Sequence, residues 1–197
     1  MLRIAVLGST SGTDLQAIIA ALQSGELCDV ELACVISNKE DAFILERAKQ
    51  AGFTAIYLPS QGLGREDYDR KLAKILDKNN VELLILIGYM RFLSPWFIDK
   101  YRNKVMNIHP SLLPAFAGGM DKNVHEDVLK AKVPITGATL HFVDEGADSG
   151  PIIAQKEVTV AKNDTVDTLK AKVQAAEQEI ILQGIKDFRD GKLKIQN

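Results

Sequence analysis

The chain reads as an α/β protein, a mostly parallel sheet extended by antiparallel strands and completed by a long C-terminal helix. Three observations predict this. Apolar runs of strand length alternate with segments of helical period as far as residue 114. Beyond Pro114 two strand-like runs are joined by a short polar turn. The last third carries one unbroken amphipathic stripe.

Residues 2–7 form the first strand. After the turn from Gly8 to Gly12, Leu15, Ile18, Ile19 and Leu22 share one helical face, and Gly25 stands where a C-terminal cap belongs. Residues 30–37 read as a strand, 41–51 as a helix closed by Gly52, 54–58 as a strand and 65–78 as a helix. The run 81–87, almost all Val, Leu and Ile, suits a central strand covered on both faces. Ser94-Pro95 starts a short helix, and 104–108 forms the next strand, expected beside 81–87. A short helix near 124–132 precedes two strands, 137–143 and 152–160, expected to pair as an antiparallel hairpin. The longest helix starts at Asn163 or Asp164 as cap, carries Leu169, Val173, Ala176, Ile180 and Phe188 on its apolar stripe, and ends before Gly191.

The 197 residues suit one domain with one substantial core, and 46% apolar content is that of a globular protein. A formal net charge of −2 provides no general attraction for nucleic acid, and none is expected as a partner. No apolar run approaches the roughly 18 residues of a membrane span, and the N-terminal strand bears no cleavage pattern, so a cytoplasmic chain beginning at Met1 is expected. Cys28 and Cys34 lack a second pair, and the three histidines lack metal-ligand spacing, so neither a disulfide framework nor a metal site is expected.

Four features can carry chemistry. Gly8-Ser9-Thr10-Ser11-Gly12-Thr13 lies between a strand and a helix, where N–H groups, hydroxyls and the helix dipole converge on an anion. It matches neither the dinucleotide nor the nucleoside triphosphate fingerprint, so a phosphate monoester is the simpler ligand. In Asn107-Ile108-His109-Pro110-Ser111-Leu112-Leu113-Pro114, an amide and an imidazole stand at the carboxyl end of a central strand, the edge where open parallel sheets bind ligands. Asp148-Ser149-Gly150-Pro151 supplies a carboxylate and is also good turn chemistry. Gln174 and Glu177 share a helix face, which periodicity alone reads equally as a solvated surface. His125 and His141 read as structural helix and strand residues.

These residues resemble the phosphoribosylglycinamide formyltransferase family, folate-dependent enzymes of purine synthesis, over essentially the full length. The resemblance rests on Ser37-Asn38-Lys39, Asp41-Ala42-Phe43, Met90-Arg91-Phe92-Leu93-Ser94-Pro95, the block 107–114, His141-Phe142-Val143 and Asp148-Ser149-Gly150-Pro151. It implies a Rossmann-like formyltransferase fold with a phosphate- and nucleotide-binding half over 1–100 and a catalytic and folate-binding half over 101–197. It also implies formyl transfer from 10-formyltetrahydrofolate, as cosubstrate, to glycinamide ribonucleotide, with no metal, in a monomer or weak homodimer. The catalytic groups carried over are Asn107, His109 and Asp148. Ser11, Gly12, Thr13, Asp14, Gln174 and Glu177 match the phosphate and ribose positions, and Arg65, Met90, Arg91, Phe92, Leu93 and Val143 the folate positions. The Leu113-Pro114 bond is expected to be cis.

On this reading the amine attacks the formyl carbon. Asn107 and protonated His109 stabilise the oxyanion, Asp148 favours the charged imidazole, and no covalent enzyme intermediate forms. Two departures stand out: Thr10 occupies a place usually held by glycine, and Asp14 one held by asparagine. A carboxylate there repels phosphate unless it turns away. The loop after Pro114, Ala117-Gly118-Gly119-Met120-Asp121, is longer than in some members. A second formyltransferase reading takes a sugar-nucleotide amine as acceptor, and a third is a non-catalytic folate- or phosphate-binding module.

Overall fold

The structure, a computed structural model, describes residues 1–118 and 121–193, with only the backbone of 121–123. Strands and helices alternate as β1 (Leu2–Leu7), α1 (Thr13–Ser24), β2 (Val30–Ser37), α2 (Phe43–Gln50), β3 (Ala55–Tyr57), α3 (Arg65–Lys78), β4 (Leu83–Leu86), α4 (Pro95–Lys100) and β5 (Val105–His109). After them come α5 (Asp121–Ala131), β6 (Ile135–Phe142), β7 (Ile152–Thr159) and α6 (Val166–Arg189). The strands hydrogen-bond in one seven-stranded sheet of order β3-β2-β1-β4-β5-β6-β7. Contacts divide the chain into two compact units, Met1–Asn107 and Ile108–Asn197.

In the first unit β1 pairs in parallel with both β2 and β4, and β4 pairs in parallel with β5, Leu86 opposite Asn107. The chain builds outward from β1 to β3, then returns to start β4 on the other side of β1. The carboxyl ends of β1 and β4 therefore form a topological switch point, where a crevice opens because successive connections leave on opposite faces. Ile4, Leu7, Ile36 and Leu83 from the strands and Leu15, Ile18, Ile44, Leu72 and Leu76 from the helices are fully buried. Each such side chain contributes about 1.5–3 kcal/mol through burial.

In the second unit β6 and β7 form the expected antiparallel hairpin, with Ile135 opposite Thr159 and a register shift between Leu140 and His141. β6 is buried at every position after Ile135, so both of its faces are covered, whereas β7 alternates with exposed positions. Helix α6 packs on both strands and on α5, burying Leu169, Val173, Ala176, Ile180 and Ile185.

Element ends differ from the periodicity reading where side chains compete for caps. Helix α6 is capped by Thr165, not Asn163 or Asp164: its hydroxyl accepts from the Thr168 N–H at 3.3 Å, and Thr168 Oγ1 accepts from the Thr165 N–H at 2.9 Å. Asp164 instead accepts from the Ala161 N–H and from Lys172 Nζ. Helix α2 starts at Phe43 rather than residue 41, and α5 at Asp121 rather than 124. Strand β5 runs one residue further than expected, so His109 is its last residue.

Candidate active site

His109 is buried at the end of β5, and the chain beyond it is pinned by Thr139 of β6. The fully buried Thr139 hydroxyl donates to the Ser111 carbonyl at 2.7 Å, and accepts from the Leu113 N–H at 3.0 Å and from Gln155 Nε2 at 2.9 Å. Gln155 Nε2 also donates to the Leu113 carbonyl at 2.9 Å, and Ser111 Oγ donates to the Ala115 carbonyl at 2.5 Å. The Leu113-Pro114 bond is cis, as expected.

Asp148 stands in the loop between β6 and β7 with φ 53°, a left-handed conformation in which Asp is tolerated better than bulkier residues. Asp144 shapes that loop, its Oδ1 accepting from the Gly146 N–H at 3.0 Å and from Ser149 Oγ at 2.8 Å. A Cβ at Gly150 would lie 1.9 Å from the Phe142 carbonyl oxygen, so the backbone closes there only around glycine. The loop thus delivers Asp148 to the histidine. Its Oδ2 lies 3.3 Å from His109 Nδ1 and accepts from the Gly118 N–H at 2.9 Å.

The other ring nitrogen of His109, Nε2, lies 3.1 Å from the Phe116 carbonyl oxygen. Both nitrogens of His109 therefore face oxygens, an arrangement only the doubly protonated ring satisfies in full. Burial opposes that charge and holds the His109 pKa below its ordinary value of 6.5, although Asp148 and the Phe116 carbonyl push the other way. The expected effect of Asp148 is thus present in sign but outweighed by desolvation. For Asp148 itself burial raises the pKa, yet the approach of His141, the charge of His109 and the Gly118 N–H together hold it below 3.8.

His141 was not singled out for chemistry by sequence, yet its Nε2 lies 3.6 Å from Asp148 Oδ1 while its Nδ1 donates to the Phe142 carbonyl at 2.8 Å. No spacing in the sequence reveals this, because the meeting depends on how the 143–151 loop folds back over β6. Thr139 and Gln155 were missed for the same reason, each being an ordinary strand residue by pattern.

The phosphate-type loop follows β1. Gly12 is the N-cap of α1 at φ 62°, and a Cβ there would come within 2.3 Å of the Ile44 side chain. The loop is anchored by the Ile44 N–H donating to the Thr10 carbonyl at 3.2 Å and by Arg47 Nε donating to the Ser11 carbonyl at 2.8 Å. Ser11 is exposed and Thr13 half-buried, whereas Asp14, in the first turn of α1, is buried at 7% exposure. Asp14 is thus a buried carboxylate in the first turn of a helix whose N-cap is Gly12.

Residues 88–93 follow β4 in the same unit. Met90 and Phe92 are 38% and 61% exposed, Leu93 is buried, and the Arg65 guanidinium stands 5.9 Å over the Phe92 ring. Exposed apolar and aromatic surface under a cation suits a flat, anionic ligand. Arg91 is half-buried, its guanidinium 4.8 Å over the ring of buried Tyr68. On α6, Gln174 is half-buried and Glu177 only 6% exposed, which rejects the solvated-surface reading of that face for Glu177. Val143 is half-buried and His125 fully buried. Gly119 and Met120 lie outside the described residues. Among the described residues, no group of three or more His, Cys, Asp or Glu side chains is placed to hold a metal ion.

The family model described as formyl transferase matches residues 2–185. The chain is 38% identical over 198 residues to the phosphoribosylglycinamide formyltransferase of Haemophilus influenzae, spanning 100% of this chain and 92% of that protein. It is 40% identical over 195 residues to the Escherichia coli protein of the same name, covering 98% and 90% respectively. The crystal structure of glycinamide ribonucleotide transformylase 1 from Symbiobacterium toebii superposes with TM-score 0.94 at 40% identity, over 100% of this chain and 92% of that one. The chain belongs to the formyl transferase family.

Proposed function

We propose that this protein transfers the formyl group of 10-formyltetrahydrofolate to the primary amine of glycinamide ribonucleotide, giving the N-formyl product and tetrahydrofolate in purine synthesis. The observation that carries this reading is the buried His109 held against Asp148 at the end of β5, in a chain so similar to enzymes of that name.

The amine attacks the formyl carbon and negative charge develops on its oxygen. His109 Nε2 faces the Phe116 carbonyl oxygen, an acceptor that calls for an N–H on that nitrogen, and the formyl oxygen takes the place of that carbonyl as the group the N–H meets. Asn107, two residues earlier on β5 and so on the same side of the strand, adds its amide. Loss of one such donor costs about 3 kcal/mol in the barrier. Asp148 holds the ring by Nδ1 and, directly or through a water, assists the proton from the attacking amine to the departing folate nitrogen.

Ser11, Gly12, Thr13 and Asp14 receive the phosphate through backbone N–H groups at the α1 terminus, and Gln174 and Glu177 hold the ribose hydroxyls. Met90, Phe92, Leu93 and Val143 contact the folate rings, while Arg65 and Arg91 meet its glutamate carboxylates. The protein works in the cytoplasm as a monomer or weak homodimer, without nucleic acid or membrane.

The test is formyl transfer by the purified protein with glycinamide ribonucleotide, with a non-phosphorylated amine, and with no acceptor. Turnover with the ribonucleotide alone is expected. Formate release without acceptor would point to a hydrolase instead, and no turnover at all to a binding module.

A further inference from the structure

Ser9 is assigned to neither substrate, yet it stands at the switch point between β1 and β4 and joins the two loops that leave it. Its N–H donates to the Gly88 carbonyl at 3.1 Å. Its hydroxyl donates to Asn38 Oδ1 at 2.6 Å and accepts from the Met90 N–H at 3.0 Å. Asn38 is 7% exposed and follows β2, so one hydroxyl ties together the ends of three adjacent strands.

Connections at a switch point diverge, and nothing in the parallel ladder itself holds them in mutual register. Here the closure is made by a group that donates and accepts at once, which a hydroxyl can do and a methyl cannot. Packing supports it: Gly88 has φ +57°, and a Cβ there would lie 2.3 Å from Thr10 Oγ1. Thr10, on the phosphate-type loop, therefore sits directly against the backbone of the 88–93 loop. The side chain that departs from the usual glycine fills the gap between the loops.

We propose that Ser9 is a positioning residue that sets the phosphate-binding loop and the folate-binding loop against each other, so that one hydroxyl governs affinity for both substrates without touching either. This rests on the formyl-transfer reading for the identity of the two ligands. The clamp itself is read directly from the hydrogen bonds.

The experiment compares wild type, Ser9→Ala and Ser9→Thr by steady-state kinetics with glycinamide ribonucleotide and 10-formyltetrahydrofolate, and by amide hydrogen exchange of residues 8–14 and 88–93. Ser9→Ala is expected to raise both KM values about tenfold, the equivalent of about 1.4 kcal/mol each, with kcat within about threefold, and to speed exchange in both segments together. Ser9→Thr, which keeps the hydroxyl, is expected to restore both readouts. Unchanged exchange in Ser9→Ala, a rise in only one KM, or a loss confined to kcat would overturn the inference. Wild type without turnover, but with exchange that responds to Ser9→Ala, would overturn the formyl-transfer reading and with it the claim on the two substrates, while leaving the clamp standing.

Discussion

Asp148 lies between two imidazoles, its Oδ2 at 3.3 Å from His109 Nδ1 and its Oδ1 at 3.6 Å from His141 Nε2. One carboxylate thereby holds the ring at the end of β5 and is itself held from β6. Asp148→Asn keeps the shape and removes the charge. Since the Asp148 charge raises the His109 pKa against burial, its removal should move the His109 NMR titration further down and lower kcat by about a hundredfold or more. An unmoved titration would show that the carboxylate does not act on this ring.

Acid should weaken the fold through the same pair. Both pKa values are depressed in the folded protein, so each group contributes stability above its unfolded value and loses it as the pH falls through its folded value. For His109 the loss begins near 6.5, and for Asp148 near 3.8. Thermal unfolding followed from pH 8 to pH 4 should show a falling midpoint below pH 6.5, and His109→Gln should flatten the upper part of that fall.

Thr139→Val exchanges a hydroxyl for a methyl of similar size. Three hydrogen bonds end on that hydroxyl, and their loss leaves buried groups of the 111–113 segment without partners, a cost of about 1–3 kcal/mol. Chemical denaturation should report that loss, and kcat should fall with it, because the segment leads directly from His109.

Gly150→Ala should displace the turn that carries Asp148. The added Cβ meets a backbone oxygen at 1.9 Å, which cannot move as a side-chain tip can. We expect about 1–3 kcal/mol of destabilisation and a drop in kcat larger than that of Ser149→Ala, measured on the same preparation.

Asp14→Asn tests the unusual carboxylate of the phosphate-type loop. A negative charge in the first turn of α1 favours the helix dipole but opposes a bound phosphate. The amide variant should lower KM for glycinamide ribonucleotide about threefold or more at low salt, an effect that shrinks as ionic strength rises. A raised KM would mean that buried Asp14 serves mainly to hold the loop.

The order of elements was legible in the sequence because it follows from local pattern. The 81–87 run fitted a central strand covered on both faces, and its middle, Leu83–Leu86, forms that strand while Glu82 is exposed. The spacing of Leu15, Ile18, Ile19 and Leu22 fitted one side of a helix, on which the first three are buried and Leu22 half-buried. Asn107, His109 and Asp148 could be singled out as candidates because amide, imidazole and carboxylate stood at a strand end and a turn, although Asp148 was equally good turn chemistry. Helix ends were less so: Asn163, Asp164 and Thr165 are all competent caps, and only the reciprocal bond with Thr168 and the pull of Lys172 on Asp164 decided among them.

By itself, then, the sequence determined the α/β alternation, the hairpin, the phosphate-type loop and the residue types of the candidate site, since each depends on neighbours a few positions apart. Tertiary structure alone decided that Asp148 meets His109 and His141, that Thr139 and Gln155 pin the 111–115 segment, that Glu177 is buried, and that burial outweighs Asp148 in setting the His109 charge. Those outcomes depend on distance and desolvation between residues far apart in the chain, which no local period encodes.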